Sequence, residues 1–105
     1  MMMLTNKTEA GWCVVGVRGR ADAEAADQLE TALKAAVSEY PKVAADLSGL
    51  AYISSAGLRA LLEAARAAST KGAEFVVCSV NEPVQKVFNM SGMHHFLRIH
   101  GELPC

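Results

Sequence analysis

The stretch that decides the fold is Ala45-Asp46-Leu47-Ser48-Gly49-Leu50-Ala51-Tyr52-Ile53-Ser54-Ser55-Ala56-Gly57-Leu58-Arg59-Ala60-Leu61-Leu62. It opens as the end of an apolar run, Lys42-Val43-Ala44-Ala45-Asp46-Leu47, which reads as a buried strand. Ser48-Gly49 reads as a turn, and Tyr52-Ile53 as a short apolar lead-in. Ser54-Ser55-Ala56-Gly57 then starts a long helical pattern. Leu58, Leu61, Leu62 and Ala65 fall on one face of it, and Arg59, Glu63 and Arg66 on the other. Arg59 and Glu63 stand at i,i+4 spacing. Gly72 is a natural stop.

Working outward, residues 3–8 are a candidate edge strand. Trp12-Cys13-Val14-Val15-Gly16-Val17 is a short run rich in β-branched residues, bracketed by Gly11 and Gly19, and reads as a buried strand. Asp22 reads as the N-cap of a helix over about residues 22–39. Leu29, Leu33, Ala36, Val37 and Tyr40 make its apolar stripe, and Pro41 ends it. On the other side, Glu74-Phe75-Val76-Val77-Cys78-Ser79 is the clearest strand. Asn81 caps a short helix with Pro83 in its first turn, Val84, Val87 and Phe88 on its apolar face and Gly92 at its end. Phe96, Leu97 and Ile99 suggest a last short strand. Strands alternating with helices imply crossover connections and a mainly parallel inner sheet, covered by helices with one-sided stripes.

Composition narrows the function. The chain has 105 residues, 51% hydrophobic and 20% charged, which suits one domain over residues 1–105. Ten basic against eleven acidic residues leave a net charge of -1, which argues against a nucleic-acid footprint. No apolar run approaches the roughly 18 residues of a membrane span. Cys13 and Cys78 sit inside apolar runs and read as buried hydrophobes, Cys105 as exposed. No CxxC is present, and reduced cysteines fit a cytoplasmic address.

Chemistry-bearing motifs are few. Ser54-Ser55-Ala56-Gly57 lacks the GxSxG elbow of a hydrolase. His94 and His95 are adjacent and point apart, which is poor geometry for a metal. Neither GxxxxGK[ST] nor GxGxxG occurs, and Arg18-Gly19-Arg20 reads as a strand exit with two solvated charges. The residues therefore predict no enzyme, no cofactor and no metal site. What remains is Ser54-Ser55 at a helix start. A serine there can cap the helix, or it can carry a phosphate that the free N–H groups and the dipole stabilise. Spacing alone does not separate the two roles.

The quoted stretch resembles the signature of STAS domains, and more narrowly that of bacterial anti-sigma factor antagonists. Gly19-Arg20-Ala21-Asp22-Ala23 resembles the loop before the family's first long helix. Asn81-Glu82-Pro83-Val84-Gln85-Lys86-Val87-Phe88 with Ser91-Gly92-Met93 resembles its third helix. The resemblance implies a single α/β STAS-like domain. Its mixed, mainly parallel sheet of four to five strands has helices packed mainly on one side. It implies a partner-switching regulator that, unphosphorylated, binds an anti-sigma factor which is also a GHKL-type serine kinase. A PP2C-type phosphatase reverses the modification. The phosphorylated position corresponds to Ser55, two before Gly57. Ser54 stands where many relatives have aspartate, a departure that lowers the negative charge beside Ser55. Asp46 matches the strand-end aspartate near the switch region, although it also fits a turn residue capping Ser48-Gly49. Asp46, Ser54, Ser55, Gly57 and Arg59 are the candidate switch region, and Arg59, Glu63 and Arg66 the candidate partner surface. A monomer is the default. The alternatives are the same switch with another output, such as secretion control, or a STAS subunit of a transporter or nucleotide-binding module that is never phosphorylated.

Overall fold

Among the described residues, five strands and three helices follow one another in the order β1 (Met2–Glu9), β2 (Trp12–Ala21), α1 (Ala26–Glu39), β3 (Lys42–Ile53), α2 (Ser55–Lys71), β4 (Glu74–Cys78), α3 (Glu82–Ser91), β5 (Arg98–His100), with a 3-10 turn at Met93–His95 before β5. The structure is a computed structural model and describes residues 1–101. Cys105 lies outside the described residues.

The strands form one sheet in the order β1-β2-β3-β4-β5. β1 and β2 form an antiparallel hairpin, and the remaining pairs are parallel. Each parallel step needs a helical crossover, and α1, α2 and α3 supply them. All three helices lie on one face. Leu29, Leu33 and Val37 of α1, Leu58 and Leu61 of α2, and Val84 and Phe88 of α3 join one core with Val15, Val17, Val43, Ala45 and Val77 of the strands. The other face carries a smaller strip of Trp12, Val14, Ala44, Val76 and Cys78. Lys42 stands 5.5 Å from the Trp12 ring there. The expected architecture holds, with five strands and the helices on one side.

Several boundaries differ from the sequence reading. α1 begins at Ala26, not Asp22, and its N-cap Ala25 has no side-chain cap. Asp22 still accepts through Oδ1 from the Ala25 N–H at 3.0 Å, so it closes a turn that leads into the helix. β2 continues past Gly19 to Ala21. Ser48-Gly49 is not a turn but part of β3, which runs on to Ile53. The reason is pairing with β2. From Gly16 to Arg18 β2 advances two residues while β3 advances three, Asp46 to Gly49, and a second slip falls between Gly19 and Arg20. These are bulges, which absorb the residues that a turn would have used. At the other end of the chain, Phe96 is 69% exposed and the last strand begins at Arg98.

Helix ends follow the local signals. Asn81 Oδ1 accepts from the Val84 N–H at 3.1 Å. Gly72 and Gly92 end α2 and α3 in the left-handed conformation, which costs glycine no steric penalty. Lys71 Nζ donates across to the carbonyls of Val37 and Ser38 at the end of α1. It thereby satisfies orphan acceptors of a helix that has no basic residue in its own last turn.

Candidate functional site

The candidate site forms where β2 and β3 end and α2 begins. The parallel ladder closes with Arg20 opposite Tyr52 and Ala21 opposite Ile53. The next residue, Ser54, is the N-cap of α2, in extended conformation at φ -90 and ψ 172. Its backbone N–H donates to the Ala21 carbonyl at 2.9 Å, and its Oγ–H donates to the same carbonyl at 3.0 Å. Ser54 Oγ also accepts from the Gly57 N–H at 3.1 Å. One hydroxyl therefore works as both donor and acceptor, riveting the helix start to the end of β2. An aspartate here could cap Gly57 but could not donate to Ala21. This explains how the chain keeps its geometry where the family pattern departs.

Ser55 is the first residue of α2 and stands in contrast. It is exposed, and its Oγ has no hydrogen-bond partner among the described residues. Its hydroxyl is available to another molecule, whereas that of Ser54 is engaged and half-buried. The first turn of α2 carries no acidic residue, so the positive end of the helix faces Ser55 uncompensated.

Gly57 is required by close approach. A Cβ at this position would stand 2.8 Å from the Ala21 carbonyl oxygen and 2.8 Å from Ile53 Cγ1. Glycine therefore sets how near α2 lies to the strand ends. Arg59 is exposed one turn along and lines a groove between α1 and α2 with Ala26, Asp27, Glu30, Ala56 and Glu63. Glu63 is also paired with Arg66, at 3.2 Å. Ser54, Ser55, Gly57 and Arg59 are thus brought together on one helix start.

Asp46 is placed elsewhere. It is half-buried, one row before the first bulge, opposite Cys78 on the face without helices. Its Oδ1 accepts from the Ser48 N–H at 3.0 Å. It lines a polar recess with Thr5, Lys7, Gly16, Arg18, Ser48 and Gly49, and that recess includes none of Ser54, Ser55 or Arg59. Burial first, and the Asp46 carboxylate second, push the Cys78 thiol up to about 11. Burial likewise raises the Cys13 thiol, with Glu39 adding to it. Both thiols are held in the neutral, unreactive form.

The histidines lie away from the site. His94 and His95 stack with ring centroids 4.0 Å apart in the 3-10 turn, and His94 Nδ1 sits 3.2 Å from the Phe88 carbonyl. Among the described residues no group of three or more His, Cys, Asp or Glu side chains is arranged to hold a metal. Among the described residues no helix is long and apolar enough to cross a membrane.

Two features escaped sequence reasoning. Arg20 and Tyr52 pack against each other, with the Arg20 guanidinium carbon 4.4 Å from the ring centroid. Asn81 Nδ2 donates to the Leu50 carbonyl, so the α3 cap also grips β3. Both depend on which strand residues face each other, and no local motif carries that information.

Comparison with known proteins agrees with the fold. The family described as "Mlab, STAS domain" matches residues 5–99. A Bordetella bronchiseptica protein, provisionally assigned as the anti-sigma factor antagonist BtrV, is 37% identical over 92 residues. The match covers 87% of this chain and 79% of that protein. The anti-sigma F factor antagonist of Paenibacillus polymyxa is 27% identical over 92 residues, covering 86% of this chain and 79% of the relative. The crystal structure of an anti-sigma factor antagonist from Mycobacterium paratuberculosis superposes with a TM-score of 0.88 at 25% identity. That superposition covers 98% of this chain and 88% of the other. The chain belongs to the STAS domain family, and within it to the anti-sigma factor antagonist type.

Proposed function

We propose that this protein is a cytoplasmic, non-enzymatic partner switch: unmodified, it binds an anti-sigma factor that is also a GHKL-type serine kinase, and phosphorylation of Ser55 releases it. The observation that carries this reading is the contrast between two adjacent serines. Ser54 is bonded as donor and acceptor, whereas Ser55, at the same helix start, is exposed and has no side-chain partner among the described residues. The names of its relatives support an anti-sigma factor as the partner.

The chemistry is a simple exchange. The kinase transfers the γ-phosphoryl group of ATP to Ser55 Oγ, the hydroxyl proton leaves, and ADP departs. A PP2C-type phosphatase adds water across the resulting P–O bond and returns serine and inorganic phosphate. The phosphate adds about -1.5 to -2 charges at pH 7, at a helix start that tolerates them. The cost falls on the partner interface, through like-charge repulsion and desolvation of the dianion. A loss of about 3–4 kcal/mol, two to three tenfold steps in affinity, is enough to exchange partners. Arg59, at i,i+4 from Ser55, lies within reach of both phosphate and partner.

The test is intact mass after incubation with ATP and the GHKL-type serine kinase encoded nearest to this gene, beside a Ser55→Ala control. One added phosphate, absent from the control, is expected. Ser55→Ala is expected to hold the kinase without release, and Ser55→Asp to bind it about a hundredfold more weakly. No phosphate on a folded protein with an active kinase would overturn the switch. A phosphate that persisted in Ser55→Ala would move the acceptor elsewhere.

A further inference from the structure

The ends of β2 and β3 hold a pair for which the switch so far has no use. Arg20 and Tyr52 face each other across the parallel ladder, and the guanidinium rests on the ring at 4.4 Å. Both residues are exposed, Tyr52 at 39%. Arg66 and Arg98 each have a glutamate partner, at 3.2 and 4.0 Å. Neither Arg20 nor Arg59 has a carboxylate partner among the described residues, and the one recorded side-chain neighbour of Arg20 is the ring.

One position further on, the backbone that carries Arg20 is fastened to the switch. The Ala21 carbonyl receives both the N–H and the Oγ–H of Ser54, and Ser55 follows directly. The charged groups around this point come from four elements. Arg20 comes from β2, Arg59 from α2, Asp27 from α1, and Asp22 from the loop between β2 and α1. Asp22 is occupied by the Ala25 N–H. Arg59 shares its groove with Asp27, Glu30 and Glu63, of which Glu30 is paired with Lys34 and Glu63 with Arg66. No carboxylate is recorded beside Arg20 among the described residues, only the Tyr52 ring. A guanidinium on an exposed aromatic ring is held only weakly, whereas a phosphate dianion offers it two parallel charge-assisted hydrogen bonds.

We propose that Arg20 is the positioning residue that reads the state of Ser55, resting on the Tyr52 ring in the unmodified protein and turning to the phosphate once Ser55 carries one. This inference rests on the reading that Ser55 is phosphorylated. It changes what the partner meets. In the unmodified state the partner meets a cationic, ring-backed surface. In the modified state the cation is neutralised in cis and the Tyr52 ring is uncovered.

The test installs phosphoserine at position 55 by genetic encoding, so no kinase is needed, and follows the phosphate by 31P NMR against pH. Failure here would leave the mass experiment on Ser55 untouched. Relative to the otherwise unaltered phosphoprotein, Arg20→Gln is expected to raise the second pKa of the phosphate by about half a pH unit. Arg20→Lys is expected to restore part of that, and Arg59→Gln to move it less. The Tyr52 ring proton shifts should change on phosphorylation when Arg20 is present and stay put in Arg20→Gln. Amide spectra confirm that these exposed-site variants remain folded. A titration in Arg20→Gln that superimposes on that of the unaltered phosphoprotein would overturn the proposal. So would a shift found only in Arg59→Gln, which would give the phosphate to the helix arginine.

Discussion

β3 contains two kinds of strand in one element. From Lys42 to Asp46 it pairs on both sides, with β4 one residue for one throughout and with β2 in step from Val43. From Leu47 to Ile53 it pairs with β2 alone and slips twice. Burial follows the difference. In the bulged half the buried residues are Leu47, Leu50 and Ile53, every third position instead of every second, while Ser48, Gly49, Ala51 and Tyr52 are exposed. The regular half provides stiffness in the middle of the sheet. The bulged half turns the chain while keeping one face in the core, and it delivers Ser54 to Ala21.

This comparison can be broken first at the core. Leu50 is 1% exposed and belongs to the main apolar cluster. Leu50→Ala should cost about 2–5 kcal/mol, and more than Val43→Ala in the regular half, by urea denaturation. A cost under about 1 kcal/mol would mean that the bulged half is only loosely attached.

The second test concerns the last regular row, where Asp46 faces Cys78. The folded thiol is pushed up to about 11, from an ordinary value of 9.0. Above pH 9 the unfolded chain therefore gives up this proton while the folded chain keeps it. Stability should fall from this source as pH rises from about 9 towards 11, by about 2 kcal/mol. Cys78→Ala should flatten that slope in pH-dependent melting. An equal slope in both proteins would show that the row is more open to water than its packing indicates.

The smallest effect sharpens the comparison most. Asn81 caps α3 through Oδ1 and holds the Leu50 carbonyl through Nδ2. Asn81→Ala should cost about 1–2 kcal/mol. It should also speed amide exchange over residues 50–54 while leaving Val43–Asp46 protected. Asn81→Asp, which keeps the cap and loses the donor, should reproduce the exchange effect at a lower cost in stability. Uniform acceleration along β3 would show that the two halves open together.

Much of this was legible in the chain because the signals are local. The Asn81 cap, the Gly72 and Gly92 stops and the run Phe75-Val76-Val77-Cys78 each depend on neighbours a few residues away. Asp22 shows the limit of such signals. Its carboxylate does accept an N–H three residues on, the bond of an N-cap, but that bond closes a turn and the helix starts later. Ser48-Gly49 shows a second limit. The same dipeptide suits a turn or a bulge, and only its pairing with β2 decides between them. At the site, the helix start with Ser54, Ser55, Gly57 and Arg59 was readable from spacing and resemblance. The Ser54 bond to Ala21 spans 33 residues, and the Arg20–Tyr52 pair also depends on contact between separate strands. Neither leaves a periodic trace.

The pair of hydrogen bonds from Ser54 to the Ala21 carbonyl has one more consequence. A joint held by two hydrogen bonds, and closed by a glycine with no spare room, has little freedom to bend when a charge is added next to it. Under the proposed reading, backbone-sensitive methods would record almost the same shape before and after modification. Isoelectric focusing and native electrophoresis would separate two species. The information would reside in the electric field at the surface, carried by a scaffold that stays still.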